Sequence, residues 1–485
     1  MNVLKSGWKK ANGTCPASSD QVSHQRPDQM KSKSLVLVIY LAAALIRLQI
    51  NFSQELIAGI NGGYYPLQVR CLLENGQLGF ADMPLLFYLN AFLVKIISVT
   101  GTTVSDQLII TILKLTDSLL FPLIVVPFYR LLRHTAEGII LIFSTAILLL
   151  VSMSFQPLIL MADLQKNALA VVFAAFYLYY GYRYYEKRAG SDLFSATCFL
   201  LATALCHYGT LMFSLVVTIA VLIASYKLRA VVPLLILTGS LLGLAAIFDM
   251  ARVIRLTGLM GELFARPALL SGHLQPTDIL SVTIAIVICI LAFIIVRNHR
   301  TSFSKTERIV VLSSAICLGV FSFPMLDMEF FRRLSLFAFV LEAIILLFVV
   351  RNLNRRQIAI ISIALLIYTT VSVAAMLVKS KPASISKAAY NDLVNLGQTV
   401  AGDQSIIIAR HGLEWWTAFR LGVKVAQAKA IDDTLWKNNV HVFVLHQTDG
   451  FGIPPEMSPF REPHLPPAAE KVYESAYFRL YRWDR

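Results

Sequence analysis

The sequence predicts an all-α polytopic membrane protein of about eleven transmembrane helices, followed by a small extracytoplasmic α/β domain at the C-terminus. Three observations carry this. The 485 residues are 56% hydrophobic and only 15% charged, well short of the charge that a soluble chain of this size exposes. Apolar runs of roughly 17 to 23 residues recur along most of the chain, long enough to cross about 30 Å of hydrocarbon. Past residue 378 charges return, and apolar runs shrink to strand length.

Residues 1–33 read as a disordered basic tail, with Lys5, Lys9, Lys10, Arg26, Lys31 and Lys33 against Asp20 and Asp28. The first apolar run, 34–50, is not followed by a small-residue cleavage pattern and reads as a retained anchor. Further spans are expected near 107–129, 137–156, 167–182, 191–206, 208–225, 230–247, 278–296, 308–323, 334–350 and 357–378. Segment 84–98, PLLFYLNAFLVKIIS, is short and contains Asn90 and Lys95, so it is placed in the outer interface. Its neighbour 64–80 reads as an interfacial helix ending at Gly76.

Positive charge supports this count, because cytoplasmic loops collect Lys and Arg. Arg130 and Arg133, Arg183 to Arg188, Lys227 and Arg229, Arg297 to Arg308, and Arg351 to Arg356 all fall on the side of the basic tail. Loop 51–106, segments 157–166, 248–277 and 324–333, a turn at His207, and everything after about 379 then face the other, extracytoplasmic side. The transmembrane domain is expected over 34–378 and the soluble domain over 379–485. In the latter, SIIIA (405–409), VHVFVL (440–445) and YFRLYRW (477–483) read as strands, alternating with helical stretches at 384–400 and 412–421. The six cysteines are scattered and suggest neither a disulfide framework nor a zinc site.

The outer segments gather polar chemistry at membrane depth. Loop 51–106 holds Glu55, Asn61, Tyr64, Tyr65, Arg70 and Asp82; MADLQKN holds Asp163 and Lys166; the turn holds His207. Arg252, Arg255 and Arg266 follow in one loop and Arg332 and Arg333 in another. A carboxylate can take the proton of an attacking hydroxyl, and paired carboxylates such as Asp82 and Asp163 can hold a divalent metal. Arginines can clamp a phosphate and stabilise it as a leaving group. The same arginines read equally as snorkelling anchors or a headgroup-binding face, the tyrosines as an aromatic belt, and His207 as a turn residue.

Inside the spans, Lys114 and Asp117 lie three residues apart and are expected to pair, and Glu342 sits mid-span. They support an alternative, a transporter or flippase of a lipid-linked or anionic solute. In ARHGLEWWTAF, His411, Glu414, Trp415 and Trp416 read either as a sugar-stacking patch or as helix core. Gly-rich phosphate loops, HExxH and GxSxG are not found.

The order of spans, together with NGGYYPLQVRCLLENGQL, Asp82-Met83-Pro84-Leu85 and MADLQKN, resembles the GT-C fold glycosyltransferases, the class of oligosaccharyltransferase catalytic subunits and protein O-mannosyltransferases. The resemblance implies a polyprenyl-phosphate sugar donor, transfer to an acceptor glycan, lipid or protein, and a place in the plasma (inner) membrane with the N-terminus cytoplasmic. It implies catalytic carboxylates among Asp82, Asp163 and Glu55, and donor or acceptor binding by Asn61, Tyr64, Tyr65, Arg70, His207, Arg252, Arg255, Arg266, Arg332 and Arg333. A divalent cation, Mg or Mn, is a possible cofactor, and no nucleic acid is expected as a partner. A surface-polysaccharide polymerase or ligase would share this site. The family's usual Asp is Asn61 here, and an amide is no base at neutral pH.

Overall fold

The first helix, α1 (Pro27–Phe52), is apolar over its last two-thirds and interrupted by a single charge, Arg47. The computed structural model describes residues 27–135, 141–227, 232, 236–241, 243, 246–250, 254, 261, 263–272, 274–379, 381–400, 404–427, 441–451, 462–466 and 468–483. Most of the expected basic tail, parts of the span at 230–247, and much of the Pro-rich stretch 454–467 lie outside these residues.

Further helices are α2 (Tyr64–Asn75), α3 (Leu85–Val99), α4 (Asp106–Leu120), α5 (Val125–Thr135), α6 (Leu141–Met153), α7 (Phe155–Ile159), α8 (Gln165–Lys187), α9 (Gly190–Cys206) and α10 (Tyr208–Ala224). They continue with α11 (Pro276–Asn298), α12 (Lys305–Phe321), α13 (Met328–Ser335), α14 (Ala338–Val349) and α15 (Arg355–Val378). Capping boxes start three of them: Gln275 with Asp278, Ser304 with Glu307, and Asn354 with Gln357. At the end of α2, Gly76 takes a left-handed φ of 71°, the conformation that glycine adopts without a Cβ penalty. Helix α14 is apolar on every side apart from Glu342, and all its residues are buried, which places it at the centre of the bundle.

Among the described residues, five stretches are long and apolar enough to cross a membrane: Ser34–Phe52, Asp106–Thr135, Leu141–Ile159, Pro276–Asn298 and Arg355–Val378. The pair Met328–Ser335 and Ala338–Asn352, bent by 45°, adds a sixth if it is counted as one span. Among the described residues, eleven spans are therefore not confirmed. Helices α9 and α10 have only 17 residues each, because the extended backbone of His207 (φ −156°, ψ 125°) separates them. Helix α8 has 23 residues, but it is rich in tyrosine and charged at its far end. It packs on α9 and α10.

The C-terminal part adds α16 (Lys387–Gly397), α17 (Leu413–Leu421) and a five-stranded sheet of order β2-β1-β3-β5-β4. Strand β1 (Ser405–Ala409) is an inner strand, parallel to β2 (Lys424–Gln427) and β3 (His441–Gln447), and buried at each position. Strand β5 (Phe478–Trp483) runs antiparallel between β3 and β4 (Glu470–Glu474). The two strands missed from sequence, β2 and β4, are the half-exposed edges, where KVAQ and EKVYE carry no apolar run.

One buried ion pair corrects an expectation. Lys114 and Asp117 do not pair. Lys114 donates to the Glu55 carbonyl at 2.9 Å, whereas Asp117 accepts from Arg47 at 3.0 Å, both side chains being essentially without solvent contact. Arg47 also donates to the Pro157 carbonyl at 3.0 Å, and its guanidinium lies 4.4 Å from the Phe121 ring centre. Asp117 further accepts from Asn51 at 2.9 Å and from the Ala162 amide at 3.1 Å. Removing one partner alone, in Arg47→Met or Asp117→Leu, leaves an uncompensated buried charge and should cost about 3–5 kcal/mol. The double variant should recover most of that loss; equilibrium unfolding in mixed micelles measures both, and a double-variant loss equal to the sum of the two single losses would show that the pair is not coupled.

Candidate active site

Two consecutive tyrosines open α2 and reach toward two acids. The Tyr64 hydroxyl donates to Asp82 Oδ2 at 2.5 Å and accepts from Gln68 Nε2 at 2.8 Å. Lys166 Nζ donates to the same Asp82 oxygen, and the Met83 amide donates to Oδ1 at 2.7 Å. The Asp82 side chain has no solvent exposure. Lys166 also faces the rings of Tyr64 and Phe87, at 5.4 and 5.7 Å from their centres. Asp82 is thus a buried carboxylate matched by one cation and by oriented donors, the arrangement that makes burial of a charge tolerable.

The Tyr65 hydroxyl donates to the Asp163 carbonyl at 3.1 Å. Burial, followed by the nearby Asp163 and Asp82 carboxylates, pushes its pKa well above the usual tyrosine range, so it stays a proton-bearing donor. The Asp163 carboxylate accepts from the Asn61 backbone amide at 2.6 Å and from Lys381 Nζ. Gly59 makes this approach possible: its φ is +87°, and a Cβ there would come within 2.4 Å of Asp163 Cβ. The Gly59 amide in turn donates to the Pro382 carbonyl at 2.8 Å, tying loop 51–63 to the segment after the last long helix. Gly63 is equally constrained, since a Cβ would sit 2.8 Å from the Trp416 amide nitrogen.

Asp82, Asp163, Asn61, Tyr64 and Tyr65 therefore converge, with Asn61 contributing its backbone rather than its amide side chain. The other expected residues are placed differently. Glu55 is 66% exposed and pairs with Lys387 at 3.3 Å. Arg70 donates to the Phe419 carbonyl and to Asp106. Asp106 also accepts from Arg420 at 2.8 Å and Tyr390 at 2.6 Å, so the Arg70 cluster joins α2 and α4 to α16 and α17. His207 turns its ring to cap α10, accepting from the Thr210 amide at 3.2 Å, although the adjacent Cys206 thiol donates to the Lys166 carbonyl at 3.3 Å.

Arg332 faces Asp278 at 3.6 Å, and Arg333 is exposed and paired with Glu329. Exposed Arg266 adjoins Pro267, which bridges to Asp327, so these three arginines belong to one surface region. Arg252 and Arg255 lie outside the described residues. Trp416 is fully buried against Tyr390 and Phe419, and Trp415 packs on Tyr64 and Phe80, which decides for helix core over a sugar-stacking patch.

Lys166 was visible in MADLQKN without a role, and Lys381 and Arg47 were missed. Lys381 left a signal: with Lys379 it follows a span on the side where positive charge is not expected. Among the described residues no three His, Cys, Asp or Glu side chains group to hold a metal. Asp82 and Asp163 each already face a lysine. This donor set does not fit the expected divalent cation.

The chain resembles three solved structures in architecture. The oligosaccharyltransferase of Archaeoglobus fulgidus in complex with Zn and sulfate is 14% identical, with a TM-score of 0.53 over 84% of this chain and 67% of that one. The archaeal oligosaccharyltransferase AglB from the same organism, bound to an inhibitory peptide and a dolichol-phosphate, is 12% identical with a TM-score of 0.55 over 85% and 69%. ArnT from Cupriavidus metallidurans bound to undecaprenyl phosphate is 11% identical, with a TM-score of 0.53 over 92% of this chain and 97% of that one. The chain shares its fold with these three structures. No protein-family model and no curated protein matches the sequence.

The bundle carries its sheet on a polar clamp, and Asp106→Ala removes the carboxylate that Arg70, Arg420 and Tyr390 share. Limited proteolysis should then cleave the 379–386 segment markedly faster than in the parent protein. An unchanged cleavage rate would show that the apolar contacts of Trp416 and Phe419 hold the domain by themselves.

Proposed function

We propose that the chain is an integral-membrane glycosyltransferase that moves a sugar from a polyprenyl-phosphate-linked donor to a glycan, lipid or protein acceptor on the extracytoplasmic side. The observation that carries this reading is the convergence of Asp163, Asp82 and their two lysines beneath loop 51–63, at the end of the bundle that bears the sheet. The named neighbours that bind dolichol-phosphate and undecaprenyl phosphate support the donor class. In this reading the basic helix ends face the cytoplasm across the plasma membrane, and residues 379–485 lie outside it.

Asp163 is the better placed base. Its carboxylate is 8% exposed, and its partner Lys381 is 51% exposed and able to swing aside, whereas Asp82 is enclosed. Asp163 takes the proton of the acceptor hydroxyl as that oxygen bonds to the anomeric carbon. The bond from that carbon to the phosphate oxygen breaks, and the polyprenyl phosphate leaves with the electron pair. Lys381, Lys166 and the Arg266, Arg332 and Arg333 region, with Arg252 and Arg255, supply positive charge for that phosphate. Asp82 orients Tyr64 and Lys166, and Glu55, paired with Lys387 on the exposed rim, steers the approach of the acceptor. No step runs through a metal.

The transporter alternative is less well supported. Lys114 and Asp117 are tied into loop and helix contacts, and Glu342 lies in the central helix with one oxygen lacking a hydrogen-bond partner among the described residues.

Asp163→Asn should lower transfer by roughly 10²–10⁴-fold with little loss of stability, the usual range for removing a general base. Asp82→Asn should instead lower thermal stability as well as rate. Mass spectrometry of the lipid fraction, following release of polyprenyl phosphate from a panel of sugar donors, measures the first. Undiminished release in Asp163→Asn would remove this residue from the mechanism, and intact donor with the parent protein would count against transfer itself.

A further inference from the structure

A cavity of about 520 Å³ opens at the other end of the bundle and uses none of the residues of the candidate active site. Helix α8 has Lys166 in its first turn and Arg188 just past its last; its 23 residues rise about 33 Å. The cavity follows the far half of that helix. Its walls are apolar, formed by Phe128 of α5, Tyr182 of α8, Leu200 of α9, Val217 and Val221 of α10, and Phe348 of α14. That volume lies within the range of about 300–1,000 Å³ typical of sites for small molecules and cofactors.

Two cations, Arg188 and Lys227, line the same cavity beside Tyr184 and Tyr185. Lys227 Nζ stands 4.1 Å from the Tyr185 ring centre, and the Arg188 guanidinium 5.5 and 5.4 Å from those of Tyr184 and Tyr185. Neither cation pairs with a carboxylate among the described residues. The nearby acids are engaged elsewhere: Glu186 by His134 at 2.5 Å, and Asp192 by Arg183 at 3.3 Å.

The backbone is strained where these groups meet. Among the described residues three non-glycine residues have positive φ, and two of them flank this site: Arg188 at 59° and Tyr226 at 56°. Arg188 ends α8 in the left-handed conformation that helices usually assign to glycine. The strain brings its side chain back over the tyrosines instead of continuing away from the helix.

We propose that this cavity binds an anionic phospholipid taken from the adjacent leaflet, with an acyl chain between α5, α8, α9 and α10 and its phosphate between Arg188 and Lys227. Basic pockets between membrane helices recognise anionic headgroups through this chemistry, and the apolar walls match hydrocarbon. The occupant is distinct from the sugar donor, because the cavity and the Asp163 carboxylate lie at opposite ends of α8.

The test uses the full chain, purified in detergent and titrated with phosphatidylglycerol or phosphatidylcholine under native mass spectrometry. Phosphatidylglycerol should be retained roughly tenfold or more in preference to phosphatidylcholine, a margin that two headgroup charges supply. Arg188→Gln with Lys227→Gln should abolish the preference. Val217→Trp, which fills the cavity while keeping both charges, should abolish retention, and Thr197→Trp at its wall serves if that variant does not fold. Retention unaffected by either filling substitution would mean surface association of the headgroup and would overturn the cavity site. Equal retention of the two lipids, or glycerol phosphate binding as tightly as the lipid, would overturn the anionic-lipid assignment.

Discussion

The polar face of this bundle depends on one buried charge pair, Arg47 with Asp117. A charged residue inside a membrane helix is tolerated only with a partner and with its remaining hydrogen-bonding groups engaged. Both conditions shape the fold. Arg47 reaches the Pro157 carbonyl, and Asp117 holds Asn51 and the Ala162 amide. The pair therefore fixes the segment between α7 and α8 against α1 and α4. Ala162, itself left-handed at φ 62°, immediately precedes Asp163. The position of the candidate base is set by an ion pair deeper in the bundle.

From Asp163 the chain of contacts runs outward. Its carboxylate is shared between the Asn61 amide and Lys381, one in the loop after α1 and the other after the last long helix. Gly59 and Gly63 let that loop lie flat, against Asp163 on one side and Trp416 on the other. A side chain at either position would separate the loop from the acid or from the C-terminal sheet. The polar loop and the C-terminal part are consequently one construction around two lysine-balanced carboxylates. Asp106 repeats the principle at the edge, with one carboxylate holding Arg70, Arg420 and Tyr390.

The bundle has two chemically different ends. One carries acids, lysines and the sheet. The other carries arginines and tyrosines around an apolar cavity. Helix α8 joins them, and its tyrosines serve the cavity and the helix contacts beneath it. This explains why a 23-residue helix is too polar to count as lipid-facing: its partners are protein, including Thr218, which meets the Tyr177 hydroxyl at 2.6 Å.

The sequence by itself determined the class of solvent, the helical bundle, the αL stop at Gly76 and the inner strands of the C-terminal sheet, and it named Asp82, Asp163 and Glu55 as the acids of interest. Apolar periodicity and glycine geometry are local properties, so these features are legible residue by residue. Only the tertiary structure decided which cation meets which acid. Lys114 and Asp117 stand at helical pairing distance, yet Asp117 gains more from Arg47, a residue 70 positions away that would otherwise be buried as a bare charge. Lys166 and Lys381 reach Asp82 and Asp163 from elements 84 and 218 positions distant, and Arg70 proved to be a clamp for the sheet. Edge strands and short helices escaped the sequence for the same reason: their stability comes from neighbours that the local pattern does not contain.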